Sequence, residues 1–403
     1  MRFAIIGCGV AGVTAAKVIR QNAATEHEVT VYTDENHLYY PRPRLYEVLS
    51  GEKEPQEIYP YAPNWYEKLG IKVQLGEKII RVEPANREIT LEGGLKANYD
   101  KLLLANGAYA FVPPIAGIEK KGTFTLRTVE DAVAIKRYAT KTREAIVIGG
   151  GLLGLEFADC LTKLGQKVEV VEIFPRLLPR QLDQAGSSIL EDDLRKRGIG
   201  MQLGAKTTEI LGKEAVAGVA LDNEKEVSGE LILISAGVRS NVQLAADAGI
   251  KVNKGVVVDD YLRTSADEVY AAGDVLEFHG EVFGIIPPAI EQARLAAANM
   301  LEGEKHVYNG TTQSTTLKIA GISLTSMGLV NSEEPQYEEI KRIDKQRGIY
   351  KKIVLHQGKI VGAILLGDRK GTAALTRLMQ QETDVTKCKN SLLEDDFDYR
   401  QIT

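Results

Sequence analysis

Two stretches of the chain repeat one another: residues 3–35, FAIIGCGVAGVTAAKVIRQNAATEHEVTVYTDE, and residues 145–172, AIVIGGGLLGLEFADCLTKLGQKVEVVE. Each runs from a short apolar strand through a glycine turn and an apolar-periodic helix into a second β-branched strand that ends on an acid. Strand, crossover helix and parallel strand make a βαβ unit, so two copies predict an α/β chain built on parallel sheets. In the second helix Leu155, Ala158, Leu161 and Leu164 recur every three residues and form the expected buried stripe.

The remaining chain is consistent with that frame and narrows the function classes. Its 403 residues allow two to three domains. Lys and Arg number 50 against 55 acids, a net charge of −5, so the strongly basic domain typical of nucleic-acid recognition is absent and no nucleic-acid partner is expected. No run approaches the apolar length of a membrane span. The apolar part of MRFAIIGCG is too short for a signal-peptide core, and the turn at Gly7 leaves no room for a leader, so a cytoplasmic protein is expected. Cys8, Cys160 and Cys388 lie too far apart for a CxxC pair and read as buried or incidental thiols. His27, His37, His279, His306 and His356 lack metal-ligand spacing, and no metal site is expected.

Further strands end in small-residue turns at LLLANGA (102–108), LILISAGV (231–238) and VYAAGDV (269–275). After residue 310 the pattern turns to β-rich alternation, TTLKIAGISLTSMG and then YKKIVLHQGKIVGAILLG, where Gln357-Gly358 suits a tight hairpin. A short helix, ALTRLMQQ, follows, and the acidic stretch LLEDDFDYRQIT reads as loosely held.

Gly7-x-Gly9-x-x-Gly12 follows a strand and opens a helix. The first glycine makes the turn, the second admits a pyrophosphate to the backbone, and the third lets helix and strand pack closely. The helix N-terminus then faces the anion. The second strand ends at Asp34-Glu35, and Glu35 is the candidate for the ribose hydroxyls; a glycine turn that binds nothing is the competing reading. Gly149-x-Gly151-x-x-Gly154 repeats the device and Glu172 ends its second strand. An acid there favours the free ribose 2′-hydroxyl of NADH over the 2′-phosphate of NADPH, although Arg176 and Arg180 follow close behind. Two dinucleotide folds imply two dinucleotides, and a flavin with a nicotinamide is the economical pairing.

On these motifs the whole chain resembles the flavoproteins of the pyridine nucleotide–disulfide oxidoreductase superfamily. The glycine fingerprints, the LLLANG turn, the SAGVRSN turn with Gly237, and the Gly273-Asp274 turn carry the resemblance. It implies two Rossmann-like FAD- and NAD(P)-binding domains plus a C-terminal α+β domain. The implied limits are residues 1–110 with 242–310 for FAD, 111–241 for NADH and 311–403 for the third. In such proteins the Gly-Asp aspartate binds the flavin ribityl chain, here Asp274. Asn106, before Gly107, departs from the usual Ala-Thr-Gly.

Within the superfamily YPRPRLYE (40–47) is similar to the Arg-Pro-x-Leu box of NADH-dependent rubredoxin and ferredoxin reductases. That similarity puts Arg42, with Pro43, near the FAD pyrophosphate, and Arg127 likewise; an exposed surface charge is the other reading of either arginine. Many ferredoxin reductases carry Lys where this chain has Glu47, which favours rubredoxin. The resemblance points Glu156 toward the flavin–nicotinamide contact, against a solvated helix charge. The helix begun by Pro287-Pro288 buries Ile290, Ala293, Ala297 and Leu301 in this reading. Its N-terminus, with Glu291 and Gln292, faces the flavin N1–C2=O edge, where a helix dipole favours negative charge.

The resemblance therefore implies an FAD enzyme that takes hydride from NADH and passes electrons to a small rubredoxin-like iron protein, as a monomer or homodimer. It is also similar to the flavoprotein part of NADH nitrite reductases. The region that holds thiols in disulfide and peroxide reductases of the superfamily is cysteine-free here, which argues against thiol chemistry. A basic patch at Arg42, Arg44 or Lys318 is a candidate for steering an acidic acceptor. An NADH oxidase, a nitrite-reductase component and a non-catalytic redox sensor remain as alternatives.

Overall fold

The computed structural model describes residues 1–22, 26–311, 314–319, 321–332 and 334–402, the side chains of 314–319 aside. The chain divides into two compact units.

The first unit comprises Met1–Phe111, Arg127–Ala132 and Gly237–Thr311. Its centre is a five-stranded parallel sheet in the order Val269–Ala271, Lys101–Leu104, Arg2–Ile6, Glu28–Tyr32, Ile71–Gln74. A parallel sheet is covered on both faces, so its strands read as continuous apolar runs such as FAII and LLL, all buried. The helix Val10–Asn22 buries Ala11, Val13, Ala15, Ala16 and Ile19. It packs against the helix Ile286–Glu302, whose facing side is Ala289, Ala293, Ala296, Ala297 and Met300. Alanine on both partners lets the helix backbones approach closely. Of the expected stripe, Ala293 and Ala297 are fully buried, whereas Ile290 and Leu301 are only half-buried. Ala289, Ala296 and Met300 complete the buried side in their place.

The second unit comprises Val112–Leu126, Val133–Ala236 and Thr312–Thr403. It repeats the first unit's architecture, with a parallel sheet ordered Ile199–Leu203, Lys167–Glu172, Glu144–Ile148, Leu231–Ile234, Thr123–Thr125. Each unit also carries a three-stranded antiparallel sheet, Ile79–Glu83, Glu88–Leu91 and Lys96–Asn98 in the first, and Thr207–Leu211, Gly218–Leu221 and Glu226–Ser228 in the second. The internal repeat therefore extends beyond the two βαβ units visible in the sequence. Leu155, Ala158 and Leu161 are fully buried on the helix Leu152–Lys163, as their spacing predicts, whereas Leu164, the fourth of the expected stripe, is the C-cap and only half-buried.

After residue 311 the second unit adds a five-stranded antiparallel sheet ordered Ser314–Ile319, Ile322–Gly328, Lys359–Leu366, Ile349–His356, Glu338–Asp344. The hairpin at Gln357-Gly358 forms as expected, both residues taking positive φ (50° and 77°), the mirror-image turn that matches strand twist. The helix Thr372–Gln380 covers one face through Leu375 and Leu378. The acidic end of the chain is not loose. Leu392 and Leu393 are buried, Phe397, Tyr399 and Ile402 pack on the same core, and the Tyr399 hydroxyl donates to the Leu392 carbonyl at 2.6 Å. Five apolar side chains spaced through the acids anchor it.

Candidate functional site

The two glycine turns separate what the chain needs from what it leaves for something else. At Gly7, φ is +110° and a Cβ would stand 2.2 Å from the Ala105 carbonyl oxygen; at Gly12 a Cβ would stand 1.9 Å from the Gly7 oxygen. Both glycines are therefore forced by the fold itself. Gly9 is not: its φ is ordinary and a Cβ there would meet nothing within 4 Å. In the second unit Gly149 (φ +117°, 2.3 Å from the Ser235 oxygen) and Gly154 (2.0 Å from the Gly149 oxygen) are likewise forced, and Gly151 again meets nothing within 4 Å.

Gly151 is also the N-cap of Leu152–Lys163, in extended conformation with no side-chain cap. A Ser or Asp there would stabilise the helix further, by roughly a few tenths of a kcal/mol. The bare cap leaves free amides and the positive end of the helix dipole exposed, as an anion requires. The open space over Gly9 and Gly151 fits a pyrophosphate that must touch backbone.

Around the first turn the structure brings several expected residues together. Arg42 pairs with Glu35 through both terminal nitrogens, Nη1 lying 3.1 Å from Oε2, and also donates to the Arg127 carbonyl at 2.7 Å. The Tyr40 hydroxyl donates to the same Glu35 oxygen. Burial works against the Glu35 carboxylate, but Arg42 and Tyr40 outweigh it and hold its pKa below the ordinary value. Arg127 is 21% exposed and pairs with Asp274 at 3.1 Å, so it is not a free surface charge. Ser240 Oγ donates to the Asp274 carbonyl at 2.6 Å.

Asn106 has a task of its own. Its Nδ2 donates to the Asn241 carbonyl at 2.9 Å and Asn241 Nδ2 returns a bond to the Asn106 carbonyl at 2.7 Å. Gly107 (φ +67°) completes the link by accepting from the Asn241 amide at 2.9 Å. This reciprocal amide pair accounts for Asn in place of Thr. Gln292 is buried and holds the Gly273-Asp274 turn, its Oε1 accepting from the Gly273 amide at 3.0 Å and its Nε2 donating to the Tyr308 hydroxyl at 3.1 Å. Glu291 is exposed and accepts from Thr311 at 2.6 Å. Tyr40, Ser240 and Tyr308 are not among the expected site residues; Ser240 and Tyr308 lie 34 and 16 residues from their partners, and although Tyr40 is only five from Glu35, a lone hydroxyl carries no signal of its partner.

Glu47 is buried in a bidentate pair with Arg44 (2.7 Å to each oxygen) and lies 3.2 Å from Lys53. The basic patch expected at Arg42 and Arg44 is therefore compensated by Glu35 and Glu47, and the Lys318 side chain lies outside the described residues. Cys8 is buried within the first turn, and burial pushes its thiol up to about 12, so it stays protonated at neutral pH.

In the second turn Glu172 is 6% exposed, and its carboxylate accepts from the Gly150 amide at 2.6 Å and from the Phe174 amide at 2.9 Å. It braces the turn as well as standing at the end of the second strand. Gly237 (φ +95°) closes the strand Leu231–Ile234 with no atom within 4 Å of a Cβ position. Glu156 is half-buried on the helix that starts at Leu152.

Residues 1–299 match the pyridine nucleotide-disulphide oxidoreductase family, and residues 314–383 match the rubredoxin NAD+ reductase C-terminal domain. The chain is 36% identical to a nitrite reductase [NAD(P)H] of Bacillus subtilis over 97% of its own length and 48% of the relative's, so it spans about half of that protein. It is 31% identical to an NADH-rubredoxin oxidoreductase of Clostridium acetobutylicum, with 90% of each chain covered. The crystal structure of NADH:rubredoxin oxidoreductase from Clostridium acetobutylicum superposes with a TM-score of 0.80 at 28% identity, covering 96% of this chain and 97% of that one.

Proposed function

The chain belongs to the pyridine nucleotide-disulphide oxidoreductase family, and from that premise we propose that it is an FAD-dependent reductase that oxidises NADH and hands electrons to a small rubredoxin-like iron protein. The observation that carries the dinucleotide half is the pair of glycines, Gly9 and Gly151, whose lack of a side chain serves nothing in the chain's own packing. The match of residues 314–383 to a rubredoxin reductase domain supports the acceptor half.

In this reading residues 1–110 with 242–310 hold FAD, 111–241 hold NADH, and 311–403 form the acceptor-facing domain. Gly7, Gly9 and Gly12 receive the FAD pyrophosphate. Glu35, held by Arg42 and Tyr40, takes the ribose, and Asp274, held by Arg127, takes the ribityl chain. Gly149, Gly151 and Gly154 receive the NADH pyrophosphate, with Glu172 on the ribose side and Glu156 toward the contact of the two rings. The flavin, when bound, supplies the chemistry, accepting a hydride and releasing electrons singly. The protein's part is positioning, which needs no acid–base pair. Cys8, buried and protonated, takes no part.

The test is anaerobic. Purified protein, excess NADH and oxidised rubredoxin are expected to give protein-dependent bleaching of the rubredoxin. Flavin reduction without bleaching would sink the acceptor assignment, and no flavin reduction would sink the enzyme reading.

A second reading is electron input to a nitrite-reducing partner, favoured by the 36% identity to half of the Bacillus subtilis relative. Flavin reduction without bleaching of rubredoxin, but with electron delivery to a haem or iron–sulfur nitrite reductase, would support it.

Glu172→Gln is expected to lower kcat/KM for NADH on the order of 10-fold, because one amide acceptor and the charge beside the ribose are lost. NADPH, whose 2′-phosphate the carboxylate repels, should lose less or gain. Steady-state kinetics with both nucleotides decide it: equal losses would mean that Glu172 only braces the turn.

A further inference from the structure

The second unit contains a cleft of about 810 Å3, none of whose lining residues belongs to either glycine turn, although one of them, Arg176, also follows Glu172 on the ribose side of the second turn. One wall comes from Arg176, Asp183 and the first turns of the helix Gln184–Lys196, the other from Glu339, Lys341 and Lys352 on the C-terminal sheet and Lys345 in the turn after the strand Glu338–Asp344. This volume is in the usual range for a small-molecule site.

Its charges do not cancel. Asp183 Oδ2 lies 3.1 Å from Lys352 Nζ and 3.6 Å from Lys341 Nζ. Glu339 lies 2.7 Å from Lys341 Nζ and also pairs with Lys352. Two carboxylates thus answer two ammonium groups and form a neutral floor. Arg176 and Lys345 remain in excess, and neither has a carboxylate partner among the described residues. Among the described residues Arg176 makes a single long contact, Nη2 to the Pro179 carbonyl at 3.3 Å, and its Nε is buried without an acceptor. Buried donors are almost always satisfied, so an under-bonded guanidinium on a cleft wall marks a place for an acceptor.

Neutral groups add to this. Gln184 and Ser188 present an amide and a hydroxyl from the helix, while Ile189 and the 48% exposed Ile343 make an apolar side. The helix terminus itself contributes little, because Asp183 already accepts from the Gly186 amide at 3.0 Å.

We propose that this cleft binds a small phosphate-bearing metabolite, its anionic group held by Arg176 and Lys345 and its organic body lying on Ile189 and Ile343. The cations come from both the loop after Glu172 and the sheet that follows residue 311, so an anion held between them ties these two segments together.

The probe is inorganic pyrophosphate, titrated calorimetrically into FAD-loaded protein with saturating NAD+, so that neither glycine turn competes for it. Saturable binding that weakens with added KCl is expected. Lys345→Glu, at an exposed position with no ion-pair partner among the described residues, should weaken it by about tenfold or more, and Arg176→Ala by a similar factor. Absence of saturable binding overturns the proposal. So does binding of equal strength in the wild type and both variants.

Discussion

Gly151→Val is expected to raise the KM for NADH on the order of 100-fold or more, since a displaced reactant loses at least that much, while FAD content stays at the wild-type level. Gly9→Val is expected to do the reverse and yield protein that does not retain FAD. The argument rests on the contrast inside each turn. Nothing lies within 4 Å of a Cβ at Gly9 or Gly151 and neither needs a positive φ, so the protein accommodates the side chain. The folding cost at Gly151 is about 1 kcal/mol or less, the difference between Gly and a β-branched residue at a helix N-cap. The ligand does not accommodate it, because the side chain fills the space through which a pyrophosphate reaches backbone amides. Gly154→Ala serves as the opposite control. Its Cβ would stand 2.0 Å from the Gly149 oxygen, so it should damage folding first and binding only in consequence. Flavin absorbance, NADH kinetics and thermal melts of the three variants decide the matter. An unchanged NADH KM in a folded Gly151→Val would mean that the nucleotide enters elsewhere.

The glycines were legible in the sequence because their constraint is local: a turn, a helix start and a strand end within six residues. The parallel strands and the Gln357-Gly358 hairpin were legible for the same reason, since period and turn chemistry are read within one segment. What escaped was side-chain pairing, even between residues a few positions apart. Glu35 was assigned from the end of its strand, but its bonds to Arg42 and Tyr40 depend on how the next loop returns. Arg44 reads as a free cation until Glu47, one helical turn on, is seen to chelate it. Glu172 reads as a ribose ligand, yet both of its oxygens also accept from amides of neighbouring loops.

The C-terminal sheet shows the limit most clearly. The strand Ile349–His356 contains Lys351 and Lys352 side by side, and both are buried (3% and 1% exposed). Alternation directs adjacent side chains to opposite faces, so a sequence reading puts at least one of them in water. Instead Lys351 meets Asp368 at 2.6 Å on one side and Lys352 meets Asp183 and Glu339 on the other. The strand Glu338–Asp344, EEIKRID, likewise has too many charges for an ordinary strand signal, and one of them, Glu339, answers Lys352. Asp183 lies 169 residues before Lys352, and no local pattern links them.

That separation makes Asp183→Ala the substitution with the largest expected effect on stability. Asp183 accepts from the Tyr350 hydroxyl at 2.5 Å, from the Gly186 amide at 3.0 Å as helix cap, and from Lys352 at 3.1 Å. The Lys352 side chain is 2% exposed, so removing its partner leaves a buried ammonium with Glu339 alone. Breaking a buried pair from one side costs about 3–5 kcal/mol. Asp183→Asn, which keeps an oxygen for Gly186, should lose less. Asp183→Asn combined with Lys352→Met should recover part of the loss, because replacing both partners leaves no uncompensated charge. An additive double variant would mean that the pair is not coupled. The pH dependence follows from the same groups. Burial works against the Asp183 carboxylate, but the Tyr350 hydroxyl, the Gly186 amide and Lys352 hold its pKa below the ordinary value; Lys341 and Lys352 do the same for Glu339. The unfolded chain therefore takes up these protons at higher pH than the folded one. The stabilisation is complete above the ordinary carboxylate pKa of about 4 and is lost as pH falls through the depressed folded values. Urea midpoints measured from neutral pH downward should fall steeply on the acid side for the wild type and less steeply for Asp183→Asn. Parallel acid limbs would show that folding does not lower the pKa of Asp183.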